Sequence, residues 1–249
     1  MRHIILILGC HRSGTSLVSK AMECLGAQHH EQALWKGKDN PTGFFEDRDV
    51  LDANNYLLKH CLQMGWDSAG PIDWKSINPV DAQQGQEYCT RLIAERSAQF
   101  PIWALKEPRM CRVLPFWIPA LEASGAQVSV VRVVRHPLAV ADSLMRRNSM
   151  SLDDALALWM AYSQDARQGV PEAWESVVVG YQDFIARPKE TLFKISARLG
   201  LPLDVERSVD FIRGFVRRNP TAADASEPAH SLPWQVRFEW EKSVQEVEA

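Results

Sequence analysis

The chain has 249 residues, 46% of them hydrophobic, and a formal net charge of -3, which is enough apolar material for one full core. That charge excludes general binding to nucleic acid or to an anionic membrane surface, so any positive potential that serves function must be local. Five scattered cysteines (Cys10, Cys24, Cys61, Cys89 and Cys111) are odd in number and lack framework spacing, which points to reduced thiols and a cytoplasmic setting.

The first element is a strand over residues 3 to 9. Ile4 to Leu8 form a continuous apolar run without polar alternation, as expected of a parallel strand buried on both faces. The run is far too short for a membrane span and no small-residue cleavage site follows it, so neither a signal peptide nor an anchor is expected. The chain turns at Gly9 into a loop of small residues with Arg12 at its centre, and a helix over 15 to 26 follows, capped by Ser13 or Thr15. A helix N-terminus offers unpaired N–H groups and partial positive charge, Arg12 adds a bidentate fork, and Ser13, Thr15 and Ser16 add hydroxyls. The loop is built to hold an anion. It is not the triphosphatase loop, because Thr15 stands where G-x-x-x-x-G-K-[ST] requires lysine. It is not a cysteine-phosphatase loop either, because Ser16 stands six residues after Cys10 where arginine belongs; Cys10 reads as packing.

Helices are expected over 47 to 64 and 80 to 99, with turn residues between them in MGWDSAGPIDW. A strand over 101 to 106 ends at Lys106, and a helix over 111 to 124 follows. Residues 127 to 135 then read as a β-branched strand, and His136-Pro137 opens a helix over 137 to 148. Arg135 at the strand end and Ser143 two helical turns on can face one crevice outside the carboxyl edge of the sheet, which suits a ligand with two separate anionic groups. A helix over 151 to 168, a strand over 175 to 181 and helices over 188 to 200 and 204 to 218 complete the pattern. The composition turns small and polar from Asn219 to Pro233, and Trp234 to Ala249 suits a short charged helix that docks, dimerises or stays mobile. The expected fold class is α/β, a P-loop-like three-layer fold with a mainly parallel central sheet flanked by helices. Its expected division is a domain over 1 to 218 and a polar linker and tail over 219 to 249.

With both anion loops in place, the chain resembles the sulfotransferases that use 3'-phosphoadenosine 5'-phosphosulfate (PAPS). The resemblance spans about residues 1 to 218 and is closest to bacterial, carbohydrate- and tyrosyl-type members. It implies that Arg12, Ser13, Gly14 and Thr15 bind the 5'-phosphosulfate, that Arg135 and Ser143 bind the 3'-phosphate, and that Tyr181 in VVVGYQDF lies near the adenosine, with Gln182 replacing the usual acid. It implies PAPS as donor and no metal, and no metal-ligand spacing occurs in the sequence. His11 and Ser16 flank the phosphosulfate loop as further donors, and Arg217 and Arg218 stand where the family supplies late basic residues to the 3'-phosphate. The lysine-containing first loop and later histidine of the cytosolic branch are not evident.

Sulfuryl transfer needs a cation for the leaving phosphate and a base for the acceptor. Lys106, in a K-[ED]-P pattern like that of the tyrosyl-type enzymes, is assigned to the charge. Glu46, after the turn Asn40 to Gly43 and two phenylalanines, is assigned as the base, with Glu31 and Glu107 as competitors; Glu107 equally suits a structural ion pair with Arg109. Arg109 and Arg112 read as ligand contacts or as salt bridges. Trp35, Phe44, Phe45, Trp66 and Trp74 form a possible acceptor lid: Trp35 and Phe44 divide evenly between that role and the core, whereas Trp66 and Trp74 lean to the core. The expected function is sulfuryl transfer to a hydroxyl or amine of a small-molecule or glycan acceptor. The alternatives are a P-loop-type nucleotide kinase and a non-catalytic nucleotide-binding protein.

Overall fold

Strands that are apolar at consecutive positions must be covered on both faces, and this requirement organises the molecule. The computed structural model describes residues 2–30, 43–214 and 232–248. Glu31, Trp35, Arg217 and Arg218 lie outside the described residues.

The strands are β1 (His3–Leu8), β2 (Ile102–Lys106), β3 (Gln127–Val134) and β4 (Glu175–Gly180). They form one sheet in the order β2-β1-β3-β4 with every pairing parallel, Ile5 lying opposite Ala104 on one side and Ser129 on the other. The helices are α1 (Thr15–Ala21), α2 (Arg48–Tyr56), α3 (Pro79–Gln99), α4 (Met110–Ala123), α5 (Pro137–Asn148), α6 (Leu152–Gln168), α7 (Tyr181–Ala186), α8 (Pro188–Leu199), α9 (Val205–Gly214) and α10 (Trp234–Glu248). Ile4, Leu6, Leu8, Leu105 and Val130 point into one core, closed by α2 to α6 and α10. Ile5, Ile7, Ala104, Val131 and Val133 point into the other, closed by α1 and α7 to α9. Strand periodicity thus yields three layers, as the sequence implies.

The chain leaves β1 toward α1 on one face and leaves β3 toward α5 on the other. Between these neighbouring strands the connections diverge, which opens a crevice at their carboxyl ends. Both expected anion loops flank it.

Four local expectations are corrected. Neither Ser13 nor Thr15 caps α1: Gly14 is the N-cap, in the left-handed region at φ 90°, with no side-chain cap. That helix passes at Met22 into a 3-10 turn ending at Leu25. The helix expected to reach residue 64 ends as a regular helix at Tyr56 and widens into a π turn over Leu57–Cys61. The strand expected to include Tyr181 stops at Gly180, and Tyr181 begins the short α7, which the sequence reading lacks. The C-terminal stretch forms the helix expected and docks through buried Val236, Glu239 and Ser243. No described helix is long and apolar enough to cross a membrane.

Candidate active site

The loop after β1 is held in a conformation that residue type explains at one position and tertiary structure enforces at another. Gly14 adopts positive φ, and a Cβ there would run into the ring of Tyr181, so only glycine fits. Arg12 adopts φ 69° despite its side chain, a conformation that persists where surrounding contacts dictate it. Those contacts are specific. Arg12 Nε donates to Ser143 Oγ at 2.8 Å, and Arg135 donates to the Arg12 carbonyl at 3.0 Å. The Arg135 guanidinium also stacks over the Tyr181 ring, 4.4 Å from its centre. The two anion loops, more than a hundred residues apart in sequence, are therefore one structure. Arg12, Gly14, Arg135, Ser143 and Tyr181 all meet in it.

Lys106 ends β2 on the same edge, and its buried ammonium is shared. It donates to Glu46 at 2.5 Å, to the Phe44 carbonyl at 3.1 Å and to Ser16 Oγ at 3.4 Å. Ser16 in turn donates to the Phe44 carbonyl at 3.2 Å, so Lys106, Glu46 and the first loop form one network. Glu46 is placed by its neighbour: Asp47 caps α2 through the Asp49 N–H, and Arg96 of α3 donates to Asp47 at 2.8 Å. Glu107, fully buried, accepts from Asn54 at 2.6 Å and from Arg109 at 2.5 Å, and Trp117 holds Asn54 in turn. Burial pushes the pKa of Glu107 up against the pull of Arg109. Asn54 and Arg109 satisfy its carboxylate, and the ion pair with Arg109 is the one the sequence suggests.

His11 lies edge-on to Trp66 and Tyr162, with ring centres 4.8 and 5.3 Å away, and its buried Nε2 has no hydrogen-bond partner. Burial drives its pKa well below the usual imidazole range, and Arg109, Lys106, Arg147 and Arg12 push the same way. At neutral pH the ring is uncharged.

A sequence model described as the sulfotransferase family matches residues 5–205. The chain belongs to the sulfotransferase family. Among solved structures, this sulfotransferase is similar to the sulfotransferase domain of the Synechococcus PCC 7002 olefin synthase, with 16% identity, 98% of this chain and 94% of that one covered, and TM-score 0.56. It is also similar to the sulfotransferase domain from the curacin biosynthetic pathway (14% identity, 100% and 98% covered, TM-score 0.52) and to a sulfotransferase from Mycobacterium avium (12% identity, 98% and 76% covered, TM-score 0.53). These likenesses show the P-loop-like sulfotransferase fold. No sequence among the curated proteins matches the chain.

The remaining candidates of this sulfotransferase fall as follows. Ser13 is buried, its N–H bonded to the Cys10 carbonyl at 3.1 Å, and Thr15 is buried at the start of α1. Cys10 is buried with its pKa pushed well up by burial, in keeping with packing. Phe44 is buried, 5.9 Å from the guanidinium of Arg147, and serves the network through its carbonyl. Trp66 packs beside His11, whereas Trp74, expected in the core, is 44% exposed beside Phe116. The indole has no enclosing element because it sits in the loop between α2 and α3. Arg112 is buried and bound to Asp165 and the Gly70 carbonyl, both at 2.5 Å, so the choice between ligand contact and ion pair resolves to an ion pair, buried rather than on the surface. No cluster that could hold a metal ion occurs among the described residues.

Three contributors were missed. Asn54 and Trp117 support Glu107, and Trp159 donates to the Arg135 carbonyl at 3.1 Å. None belongs to a recognisable motif, and only the packing of helices on the sheet brings each to the site.

Proposed function

We propose that this sulfotransferase moves a sulfuryl group from PAPS to a hydroxyl or amine of a small-molecule acceptor, a carbohydrate foremost. The observation that carries the reading is the junction of the two anion loops, in which Arg12 meets Ser143 and Arg135 beside the shared Lys106 ammonium. A donor set of two guanidiniums, an ammonium, hydroxyls and the start of α1 fits a ligand with two separated anionic groups. Arg12, Ser13, Gly14, Thr15 and Ser16, with His11 beside them, face the phosphosulfate; Arg135 and Ser143 face the 3'-phosphate; Tyr181 faces the adenosine; and Arg217 and Arg218, outside the described residues, are assigned to the 3'-phosphate from the family resemblance alone. Bound there, the donor supplies an activated sulfuryl group, whose S–O bond to the 5'-phosphate breaks as the acceptor oxygen or nitrogen bonds to sulfur.

The chain's own part is electrostatic and positional. Lys106 holds negative charge developing on the leaving oxygen. Glu46, held beside that ammonium by the Asp47 cap, takes the acceptor proton at its carboxylate, and Glu31 is the competing base. Phe44 and Arg109 border the acceptor, and Trp35, outside the described residues, is assigned to it from the sequence alone.

The test is release of 3'-phosphoadenosine 5'-phosphate in the presence of saccharides, phenols, alcohols and amines. Acceptor-dependent release is expected, with no requirement for magnesium; magnesium-dependent ATP turnover in its place would overturn the reading. Glu46→Gln is expected to lower kcat by about 10²- to 10⁴-fold. Full turnover in that variant together with loss in Glu31→Gln would move the base to Glu31.

A further inference from the structure

At Arg135 the C-terminal helix meets Trp159, which holds the Arg135 carbonyl, and His136, the residue that follows it. The Trp159 indole N–H donates to the Arg135 carbonyl at 3.1 Å, and the next residue, His136, is the N-cap of α5. The Trp240 ring on α10 packs edge-on to both, 5.1 Å from His136 and 6.4 Å from Trp159 between ring centres. We propose that Trp240 is a positioning residue for Arg135, so that α10 sets how well the enzyme distinguishes a nucleotide bearing a 3'-phosphate from one lacking it. The inference rests on the reading of Arg135 as the 3'-phosphate ligand.

Three polar clamps seat α10 independently of this contact. Arg167 grips buried Glu239 with two hydrogen bonds at 2.9 and 3.0 Å, Arg132 from the middle of β3 pairs with Glu246, and Lys194 of α8 donates to the Val247 carbonyl at 2.6 Å. Between α10 and β4 lies a cavity of about 660 Å³, lined by Val134, His136, Gly180, Trp240 and Val244 among others. Neither Arg12 nor Lys106 nor Glu46 lines it. The loop bearing Arg135 therefore borders this cavity through His136, where the indole edge packs against the imidazole. Clamps hold the helix to the body of the protein, and Trp240 transmits that anchorage to the loop. Nothing in the sequence motif around Arg135 announces this, since Trp240 lies more than a hundred residues later.

The experiment compares affinity for 3'-phosphoadenosine 5'-phosphate and for adenosine 5'-phosphate, which differ only in the 3'-phosphate, by calorimetric titration of the full chain. Wild type is expected to prefer the first by about a hundredfold or more, and Trp240→Ala to reduce that preference on the order of tenfold, with adenosine 5'-phosphate affinity unchanged. Trp240→Leu keeps an apolar side chain at the cavity wall and gives the same reading if the alanine variant does not fold; Trp240→Phe, which restores an aromatic edge, is expected to recover the preference. A Glu239→Gln variant measures loss of α10 anchorage without touching His136. Lower thermal stability in the Trp240 variants with an unaltered ratio would make the residue merely structural and overturn the proposal. Absence of any preference in wild type would instead overturn the assignment of Arg135.

Discussion

At the scale of the residue, the site depends on a few positions where chemistry and backbone conformation are both specified. Gly14 is one: positive φ and the adjacent Tyr181 ring both exclude a side chain. Gly14→Ala is expected to cost about 2–4 kcal/mol in chemical denaturation, combining left-handed strain with overpacking. The double variant with Tyr181→Ala should recover part of that cost, because only the packing share is relieved. Lys106 is another. Its ammonium is buried with three acceptors, and Lys106→Met is expected to lower turnover by about 10²- to 10³-fold, the loss typical of one charge-stabilising donor. The comparison with substrate affinity separates this from a folding defect, since Arg12 and Arg135 remain in place to bind the donor.

Element by element, the two strand-turn-helix edges are readable in the sequence and the parts that brace them are not. Arg12, Ser143 and Arg135 were legible as members of two strand-turn-helix edges, because apolar strands and a glycine turn fix where each edge lies. That Arg12 would bridge directly to Ser143 was not, for the bridge depends on how the loops approach one another in space. The same limit hid α7, since six residues carry too little periodicity to announce a helix. Gly14 as the α1 cap escaped notice because hydroxyl neighbours on either side are the commoner caps. The tail's sequence suits a charged helix that docks, dimerises or stays mobile; it docks, seated by the pair Arg167 and Glu239 together with Arg132 and Glu246. Glu239→Ala leaves the Arg167 guanidinium without its carboxylate and is expected to destabilise the protein by about 2–4 kcal/mol, with α10 the first segment cut by limited proteolysis.

Taken whole, the molecule is an α/β body of formal net charge -3 in which Arg12, Lys106 and Arg135 stand at the carboxyl edge of the sheet. Burial of histidines across the molecule has a consequence for stability. Burial lowers the pKa of His3, His11 and His29 alike, so in the folded state these rings resist protonation that the unfolded chain accepts near pH 6.5. The folded state then binds fewer protons than the unfolded one, and stability is expected to fall as pH drops below about 6.5. Each tenfold of depression is worth about 1.4 kcal/mol. Thermal unfolding followed from pH 7.5 to 5 checks the slope, and His11→Gln should flatten it.

The central claim is that the joined loops bind a doubly phosphorylated adenosine nucleotide. It is tested most directly by isothermal titration with 3'-phosphoadenosine 5'-phosphate, beside Arg135→Ala and with ATP as the control ligand. Micromolar or tighter binding that Arg135→Ala abolishes, with ATP weak, is the result expected; absence of binding, or tighter binding of ATP with magnesium, would contradict it.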